Sequence, residues 1–318
     1  MRCEQELLSN MSFVPFGDLL LEPLRNGLTK PKAVRGDGVK MIGMGEIFAN
    51  SRIGAISMSR VQVTEKELSN NCIKNGDILF ARQSLALEGA GKCSIVIDVT
   101  EKTVFESHLI RARIDSSKAN PYFVYYYFNS YVGKEHIKTI VEQVAAAGIS
   151  GSDLVRLKVP CPDLETQDRI AAILSALDEI IAIYRAINDN LQQQAAAVFS
   201  SLYDRSNTEV RFTDLIQILG GGTPKTGENT YWNGNIAFFT PKDVGTPYTL
   251  ITEKTISKEG LSHCNSRLYP VNTVFVTARG TVGKVGMSGV PMAMNQSCYA
   301  LVGKETHQLL VYFYTLKA

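Results

Sequence analysis

One segment of the chain carries the residue types of a phosphate-binding loop, but its spacing is wrong. Glu88-Gly89-Ala90-Gly91-Lys92-Cys93 combines glycines with a lysine that could hold a phosphate. Ala86 stands where such a loop has its first glycine, and Cys93 stands where it has Ser or Thr. We therefore interpret the segment as a tight bend between strands. Leu219-Gly220-Gly221-Gly222-Thr223-Pro224-Lys225 is also glycine-rich, and two interpretations remain open: a turn, or a close backbone approach to a ligand with Lys225 near a phosphate.

The residues that build metal and nucleophilic sites do not assemble here. Six cysteines occur without a C-x-x-C pair, and four histidines lack metal-ligand spacing. No nucleophile elbow is present either, so we predict a protein without catalysis of its own. Scattered cysteines predict reduced thiols in a cytoplasmic protein. We also expect no signal peptide and no membrane span, since no run of 18 apolar residues exists.

The elements that would position functional residues come in two copies. Phe16-Gly17-Asp18-Leu19-Leu20 returns as Phe212-Thr213-Asp214-Leu215-Ile216. Asp77-Ile78-Leu79-Phe80-Ala81-Arg82 returns as Thr273-Val274-Phe275-Val276-Thr277-Ala278-Arg279. Further matches link Phe105 with Asn295 and Val124 with Val311, and the four offsets are 196, 197, 190 and 187 residues. This collinear series predicts a repeated domain, for which 318 residues are long enough.

Each copy predicts mixed strands and helices. In the first copy, a turn and a short apolar run predict a buried strand ending at Ala81, and Lys92–Ile97 predicts a second strand. His108–Ile114 alternates apolar and polar residues, as in a half-buried strand. Asn120-Pro121 then opens a segment rich in aromatic residues, for which we favour a helix over a strand.

Residues 163–204 differ from both copies and predict one long helix. Asp163 is a suitable N-cap, and no Gly or Pro interrupts the next forty residues. Apolar residues recur at steps of three and four, except where Asn188 interrupts the series, which is a heptad pattern. Forty helical residues span about 60 Å. Such a stripe needs another long helix beside it.

Charge also separates the three segments. Hydrophobic residues make up 45% of the chain and charged residues 20%, which is typical of a globular protein. The net charge is −4 over residues 161–205 and +3 over each flanking segment. Mild basicity fits domains that touch a polyanion on one face.

Three motifs point to a known family. The segment from Val159 to Asp178 contains a Pro-x-Pro-x-x-x-x-Gln-x-x-Ile pattern at the start of the long helix. Gly221-Gly222-Thr223-Pro224-Lys225 is followed by Tyr231–Ile236 and Thr240–Asp243. Val276–Gly283 contains a Thr-x-Arg-Gly-x-x-Gly pattern. Together these motifs resemble those of the specificity subunits of type I restriction–modification systems, and the resemblance covers essentially the whole chain.

The resemblance implies an α+β fold of two target-recognition domains joined by a spacer helix. We predict the first domain over 1–160, the helix over 161–205 and an incomplete second domain over 206–318. Each domain would read half of a bipartite double-stranded DNA target, and the helix would act as a ruler of somewhat under two duplex turns. Methyltransferase subunits would dock on the helix, and a translocating nuclease subunit would join them. The chain would bind no cofactor, because the methyl donor and ATP would belong to these partners.

The DNA-contacting residues are predicted at the junctions of strands and turns, where side chains can reach base edges. Arg82 and Arg279 are expected to hold the same place in the two copies. Lys225 and Lys242 are better placed for phosphate contacts. The full predicted set is Arg82, Gln83, Ser84, Lys92, Lys225, Lys242, Arg279, Thr281 and Lys284.

The helix stripe is predicted to bind partners. Its residues are Ile170, Leu174, Leu177, Ile181, Tyr184, Leu191 and Val198. The second copy stops at Lys317-Ala318, within its own aromatic helix, so we expect a truncated second domain. Without a second spacer helix, the stripe would pair with another subunit or a second copy of the chain. An alternative function is a scaffold with two lobes on a helical rod that binds proteins and no DNA.

Overall fold

The structure is a computed structural model that describes residues 12–84, 89–143, 147–205, 209–245 and 247–317. The chain forms two compact units, Met1–Tyr184 (unit 1) and Arg185–Ala318 (unit 2). The predicted domain boundaries at 160/161 and 205/206 stay a prediction. The division into compact units instead falls inside the long helix α6, Leu164–Asp204, which contributes to both units.

Unit 1 mixes short helices with several sheets. Its helices are α1 (Met44–Ala49), α2 (Glu65–Asn71), α3 (Pro121–Asn129), α4 (Tyr131–Lys138) and α5 (Gly151–Leu154). Its strands are β1 (Phe13–Pro15), β2 (Arg25–Asn26), β3 (Arg35–Ile42), β4 (Arg52–Ile53), β5 (Ser59–Val61), β6 (Ile78–Ala81), β7 (Gln83–Ser84), β8 (Cys93–Val96), β9 (Thr103–Phe105), β10 (Leu109–Ala112), β11 (Glu142–Gln143), β12 (Ala147–Gly148) and β13 (Lys158–Pro160). Single 3₁₀ turns lie at Phe16–Leu19 and Lys32–Val34.

Unit 2 has the same kinds of elements. Its helices are α7 (Phe212–Leu215), α8 (Lys258–Ser262) and α9 (Gln308–Lys317). Its strands are β14 (Ile216–Gly220), β15 (Trp232–Phe239), β16 (Tyr248–Thr249), β17 (Lys254–Ile256), β18 (Val274–Thr277), β19 (Val285–Ser288), β20 (Met292–Met294) and β21 (Cys298–Gly303). Single 3₁₀ turns lie at Asn229–Tyr231 and Pro241–Asp243.

The two units share one topology, which confirms the predicted repeat. The five-stranded sheet has the order β2-β10-β6-β8-β4 in unit 1 and β14-β21-β18-β19-β16 in unit 2. The three-stranded sheet around the long strand has the order β5-β3-β9 in unit 1 and β17-β15-β20 in unit 2. In both of these shared sheets the last strand pairs in parallel with its neighbour while the other pairings are antiparallel. Unit 1 also contains the antiparallel pair β1-β13 and the antiparallel sheet β11-β12-β7. A mixed α+β fold is therefore present twice.

A shared irregularity shows how closely the copies agree. In β3, Arg35 and Val39 both pair with Val61. In β15, two residues four positions apart likewise share one partner, Ile256. The looped-out residues adopt positive φ angles, at Gly36 (+109°) in unit 1 and at Asn233 (+59°) in unit 2, where glycine and asparagine are tolerated.

The core of unit 1 is aromatic on one side of its central sheet and ionic at one end. Phe16, Phe80 and Phe128 meet edge to face, with ring centroids 5.0–6.0 Å apart. At the start of β6, Asp77 accepts two hydrogen bonds of 2.7 Å from the guanidinium of Arg113. The bond to Asp77 raises the pKa of Arg113.

The helices form where the sequence predicts them. Asn120 caps α3, because its side chain accepts the amides of Tyr122 (2.8 Å) and Phe123 (3.2 Å). Asp163 caps α6 by accepting the amide of Thr166 at 2.9 Å, and this bond lowers the pKa of Asp163. The predicted long helix is therefore confirmed. Among the described residues, no helix combines the length and apolarity that crossing a bilayer requires.

Candidate nucleic-acid interface

A hairpin follows the central strand of each five-stranded sheet, and its base is closed in the same way in both units. In unit 1, the amide of Gly91 donates to the carbonyl of Ala81 (2.8 Å), and the amide of Ala81 donates to Lys92 (2.8 Å). Gly91 has φ +76°, and a Cβ there would lie 2.2 Å from a side-chain carbon of Ile137. Gly89–Gly91 thus form a tight bend, as the sequence predicts, and Glu88 lies outside the described residues.

The hairpin of unit 2 repeats this closure. Gly283 donates to Thr277 (2.9 Å), and Thr277 donates to Lys284 (3.0 Å). Gly283 has φ +82°, like its counterpart in unit 1. The loop runs from Ala278 to Lys284 and is four residues shorter than the Arg82–Lys92 loop, in which residues 85–88 lie outside the described residues.

The strand registers correct one predicted equivalence. Arg82 donates its amide to the carbonyl of His108 (2.7 Å), and the matching bond in unit 2 runs from Ala278 to Ser297 (2.8 Å). Arg82 therefore corresponds to Ala278, and Arg279 corresponds to Gln83. The prediction that both arginines hold the same place was wrong by one residue, because the sequence match contained a one-residue gap that only the ladder bonds locate.

The predicted residues of unit 1 lie on its hairpin but differ in availability. Arg82 and Gln83 are exposed immediately after the buried strand β6, and Ser84 is half-buried. The ammonium of Lys92 donates to the carbonyl of Phe48 at 2.7 Å and lies 5.2 Å from the centre of its ring. Lys92 thus holds the end of α1, so Arg82 and Gln83 are better placed for a ligand.

The predicted residues of unit 2 are mostly exposed. Arg279, Thr281 and Lys284 are exposed on the hairpin, which the hydroxyl of Thr277 stabilises by donating to the carbonyl of Thr281. Lys225 is exposed, and its carbonyl accepts the indole N–H of Trp232 at 3.1 Å. A trio of cationic side chains is therefore available in this unit.

Lys242, the remaining predicted phosphate contact, already faces a carboxylate. Its side chain is exposed, with its ammonium 3.5 Å from the carboxylate of Glu253. A surface pair of this kind contributes little to stability and can be exchanged for a ligand.

Other loops meet the hairpin at the same edge of each unit, which we call the reading edge. In unit 1 the turn before β10 is bonded to the hairpin through His108 and to the opening loop through Ser107, whose amide donates to Leu28 (3.0 Å). In unit 2 the turn 295–297 is bonded to the hairpin through Ser297 and to the segment before Lys242, because Asn295 donates to Phe239 (3.0 Å). Hydrogen bonds thus join the hairpin, which carries most of the predicted DNA residues, to neighbouring loops of its own unit.

Sequence reasoning missed three residues at these edges. His108 and Gln296 are exposed on the turns, and the hydroxyl of Thr223 donates to the side-chain carbonyl of Gln296 across 73 positions of sequence. Only the fold brings such distant residues together, so no local signal identified them.

The glycines at the opening of unit 2 allow this segment to pack closely against backbone of the same unit. A Cβ on Gly221 would lie 2.2 Å from the carbonyl oxygen of Asn295, and one on Gly222 would lie 2.6 Å from the amide nitrogen of Asn265. Gly27 in unit 1 is equally confined, with the Phe105 carbonyl oxygen at 2.2 Å. The close approach is therefore to the chain itself. The predicted turn does not lie within this segment, because Leu219 and Gly220 end β14 and residues 221–225 form an irregular stretch before the turn at 226–227.

Helix α6 is buried near its two ends, whereas most of its predicted stripe is exposed. Ile170 packs against the core of unit 1, and Gln167 is fully buried, where its side-chain carbonyl accepts the amide of Asn120 (2.9 Å). Phe199 is buried in unit 2 and stacks on Phe313 with centroids 5.4 Å apart. Leu174 is half-buried, whereas the other predicted partner residues, Leu177, Ile181, Tyr184, Leu191 and Val198, are 47–62% exposed.

Comparison with known proteins identifies the family. The family model described as type I restriction modification DNA specificity domain matches residues 13–193 and 205–318. The chain belongs to this family. The two matches correspond to the two copies of the fold.

Named specificity subunits are similar in sequence. The chain is 30% identical over 112 residues to the type I restriction enzyme MjaIX specificity subunit of Methanocaldococcus jannaschii. This match covers 34% of this chain and 26% of the relative. It is 28% identical over 218 residues to the EcoR124I/EcoR124II specificity subunit of Escherichia coli. This match covers 63% of this chain and 52% of the relative. The chain thus spans about half or less of the length of these relatives.

A solved specificity-domain structure shares the fold. The S subunit of a type I restriction-modification system from M. genitalium superposes with a TM-score of 0.58 at 15% identity, over 97% of this chain and 77% of that one. At this identity the likeness concerns the fold alone.

A buried thiol lies at the foot of one hairpin. Burial raises the pKa of the Cys93 thiol, at the foot of the unit 1 hairpin, to about 12. The thiol therefore stays protonated near neutral pH and is a poor nucleophile. Within the described part of the chain, no group of three His, Cys, Asp or Glu side chains is arranged to hold a metal ion.

Proposed function

We propose that the chain recognises DNA sequence for a type I restriction–modification complex. Each unit would contact one half of a bipartite duplex target through its reading edge, and α6 would serve as the spacer. The observation that carries this proposal is that each copy of the fold has a hairpin with exposed polar side chains directly after its central strand. Family membership supports it.

Base reading would come from the exposed polar side chains of the hairpins. Arg279 can donate two hydrogen bonds to a guanine edge, and Gln83 can bond an adenine edge in the same place of unit 1. Lys225 and Lys242 would contact phosphates, which positions the protein without reading sequence. Because the hairpins differ in length and residues, the two halves of the target would differ.

Catalysis would belong to partners. We propose that methyltransferase subunits dock on the exposed stripe of α6 and that a nuclease subunit joins them in the cytoplasm. The chain itself would cleave and methylate nothing and would need no cofactor. A second copy of the chain is the other candidate for the stripe.

Selection of duplexes from a randomised library tests the proposal. The chain would be assembled with the methyltransferase subunits, and a bipartite sequence with two defined halves is expected. Affinity should fall steeply with salt as phosphate contacts displace counterions. Absence of duplex binding at low salt, or selection of no sequence, would favour the scaffold function instead.

A further inference from the structure

A polar groove lies beside the reading edge of unit 2. It has a volume of about 360 Å³, and its polar side chains are Thr223, His263, Asn265 and Gln296. Gly221 and Gly222 complete one wall, where side chains would collide with neighbouring backbone. Among the described residues, neither a carboxylate nor an ammonium lines this groove. Cys264 completes the lining, and the hydroxyl, carboxamide and imidazole groups there can donate hydrogen bonds.

The side chains of this groove are held in place by bonds to their own unit. The Thr223 hydroxyl donates to the carbonyl oxygen of Gln296, which fixes the carboxamide and leaves its NH₂ group with two hydrogens to donate. The ring of His263 stacks on Tyr231, with centroids 5.0 Å apart, and its Nδ1 lies 2.9 Å from the carbonyl of Glu259. A fixed set of donors loses little entropy when it binds a ligand.

The groove is suited to an anion at the DNA surface. The turn that carries Gln296 also bonds the hairpin, because Ser297 accepts the amide of Ala278 at 2.8 Å. Lys225, the predicted phosphate contact, follows Thr223 by two residues. Thr223 takes one lone pair of the Gln296 carbonyl oxygen and fixes its direction, so the NH₂ group with its two hydrogens is the part of Gln296 best suited to an acceptor such as a phosphate oxygen.

The corresponding elements of unit 1 are arranged differently. There the opening loop and α2 are joined by an ion pair between Lys30 and Glu67, with the ammonium 2.7 Å from the carboxylate. In unit 1 these elements thus carry a paired carboxylate and ammonium, whereas among the described residues of unit 2 neither group lines the groove.

We propose that this groove binds one backbone phosphate of the DNA held by unit 2, with Gln296 as the donor and Thr223 as the residue that positions it. The proposal rests on the proposed function of DNA binding. The contact is neutral on the protein side, so it adds affinity without adding to the counterion release that charged contacts cause.

Substitution of Gln296 tests the proposal in the assembled complex. Gln296→Glu keeps the acceptor for Thr223 but places a negative charge toward the phosphate. Affinity for the selected duplex and for a scrambled duplex should fall by the same factor, about tenfold or more, since hydrogen bonds to charged groups are among the strong ones. Gln296→Leu should weaken both duplexes less and leave the slope of affinity against salt unchanged. Lys225→Ala should reduce that slope by about one.

A matched control and a chemical rescue sharpen the result. Gln217→Glu makes the same charge change at an exposed position of β14 and should leave binding unchanged. In a series of duplexes with a single neutral methylphosphonate, one position should weaken the native complex and restore binding to Gln296→Glu. Unchanged binding by Gln296→Glu, or a loss confined to the selected duplex, would overturn the groove while leaving DNA recognition intact. Failure of the native complex to bind any duplex would overturn both proposals.

Discussion

At the start of its central strand, unit 1 has Asp77 where unit 2 has Thr273. Asp77 is buried and bound twice by Arg113, whereas the Thr273 hydroxyl donates to the carbonyl of Pro270 at 2.8 Å. The residue that corresponds to Arg113 in the second ladder is Val302. The same place in the sheet thus holds an ion pair in unit 1, and in unit 2 a valine together with a threonine hydroxyl that is bonded within its own turn. The fold is therefore defined by the backbone hydrogen bonds of the sheet and not by the side chains at this place.

The hairpins show a second difference. Both are closed by equivalent bonds, yet Lys92 is bound to the end of α1 and Lys284 is exposed. The same hairpin position therefore carries a lysine that stabilises a helix end in unit 1 and a lysine that is exposed to a ligand in unit 2. Substitutions at paired positions should separate the two roles.

The largest effect is expected at the buried ion pair. Asp77→Ala should lower the free energy of unfolding by about 3 kcal/mol, because the guanidinium of Arg113 loses its buried carboxylate partner and keeps only its ion pair with the more exposed Glu22, at 2.8 Å. Thr273→Ala in unit 2 should cost about 1 kcal/mol. The double change Asp77→Thr with Arg113→Val copies unit 2 and should cost less than Asp77→Ala alone. Urea unfolding of the full chain measures each value, and a loss under 1 kcal/mol for Asp77→Ala would contradict the assigned role of the pair.

The next effect concerns the exposed stripe of α6, which both units share. Leu177 belongs to unit 1 and is 51% exposed, and Leu191 belongs to unit 2 and is 56% exposed. Changing both to Asp should weaken binding of the methyltransferase subunits about a hundredfold, since apolar anchors dominate such interfaces. Each single change should show whether both halves of the stripe contribute. Unimpaired co-purification of the double variant, with an unchanged unfolding midpoint, would exclude the stripe as the docking surface.

A smaller effect is expected from the two hairpins. Arg279→Ala should reduce the preference for the selected duplex over a scrambled one by about 1–3 kcal/mol if the arginine binds a guanine. Gln83→Ala, at the corresponding position of unit 1, should relax the other half of the target. Binding isotherms at two salt concentrations measure both. Equal losses on the two duplexes would make Arg279 a positioning residue.

The smallest effect should distinguish Lys92 from Lys284. Lys92→Met removes the bond to the Phe48 carbonyl and the contact with its ring, which should cost about 1 kcal/mol of stability. Lys284→Met should leave stability unchanged and reduce the salt slope of DNA binding by about one. Thermal unfolding and salt titration would be run on both variants. An identical response of the two would mean that the hairpins do not differ in this respect.

Much of the fold follows from sequence patterns that are local. The apolar run before Ala81 and its counterpart before Thr277 specify the central strands, and Asn120 and Asp163 mark helix starts because their side chains cap the next turn. The heptad pattern predicts α6 equally well, because it depends only on the spacing of apolar residues along one continuous segment.

The candidate site is harder to predict from local patterns, because its side-chain contacts join residues that are far apart in sequence. Thr223 meets Gln296 across 73 residues, and Lys92 meets Phe48 across 44. The register between Arg82 and Arg279 depends on one gap in the repeat, which hydrogen bonds to His108 and Ser297 locate. Residue types at strand ends therefore predicted exposed polar side chains on the hairpins, but not which side chains are already engaged.

The common base of the two hairpins has an evolutionary consequence. Because the strands on both sides keep their register while the loops differ by four residues, amino acids can be inserted above the closing bonds without disturbing the sheet. The entropic cost of a longer loop is small, about 0.6 kcal/mol for each doubling of length. Recombination between the copies, or with another gene of the same family, could therefore exchange one loop for another and produce a new specificity on an unchanged scaffold.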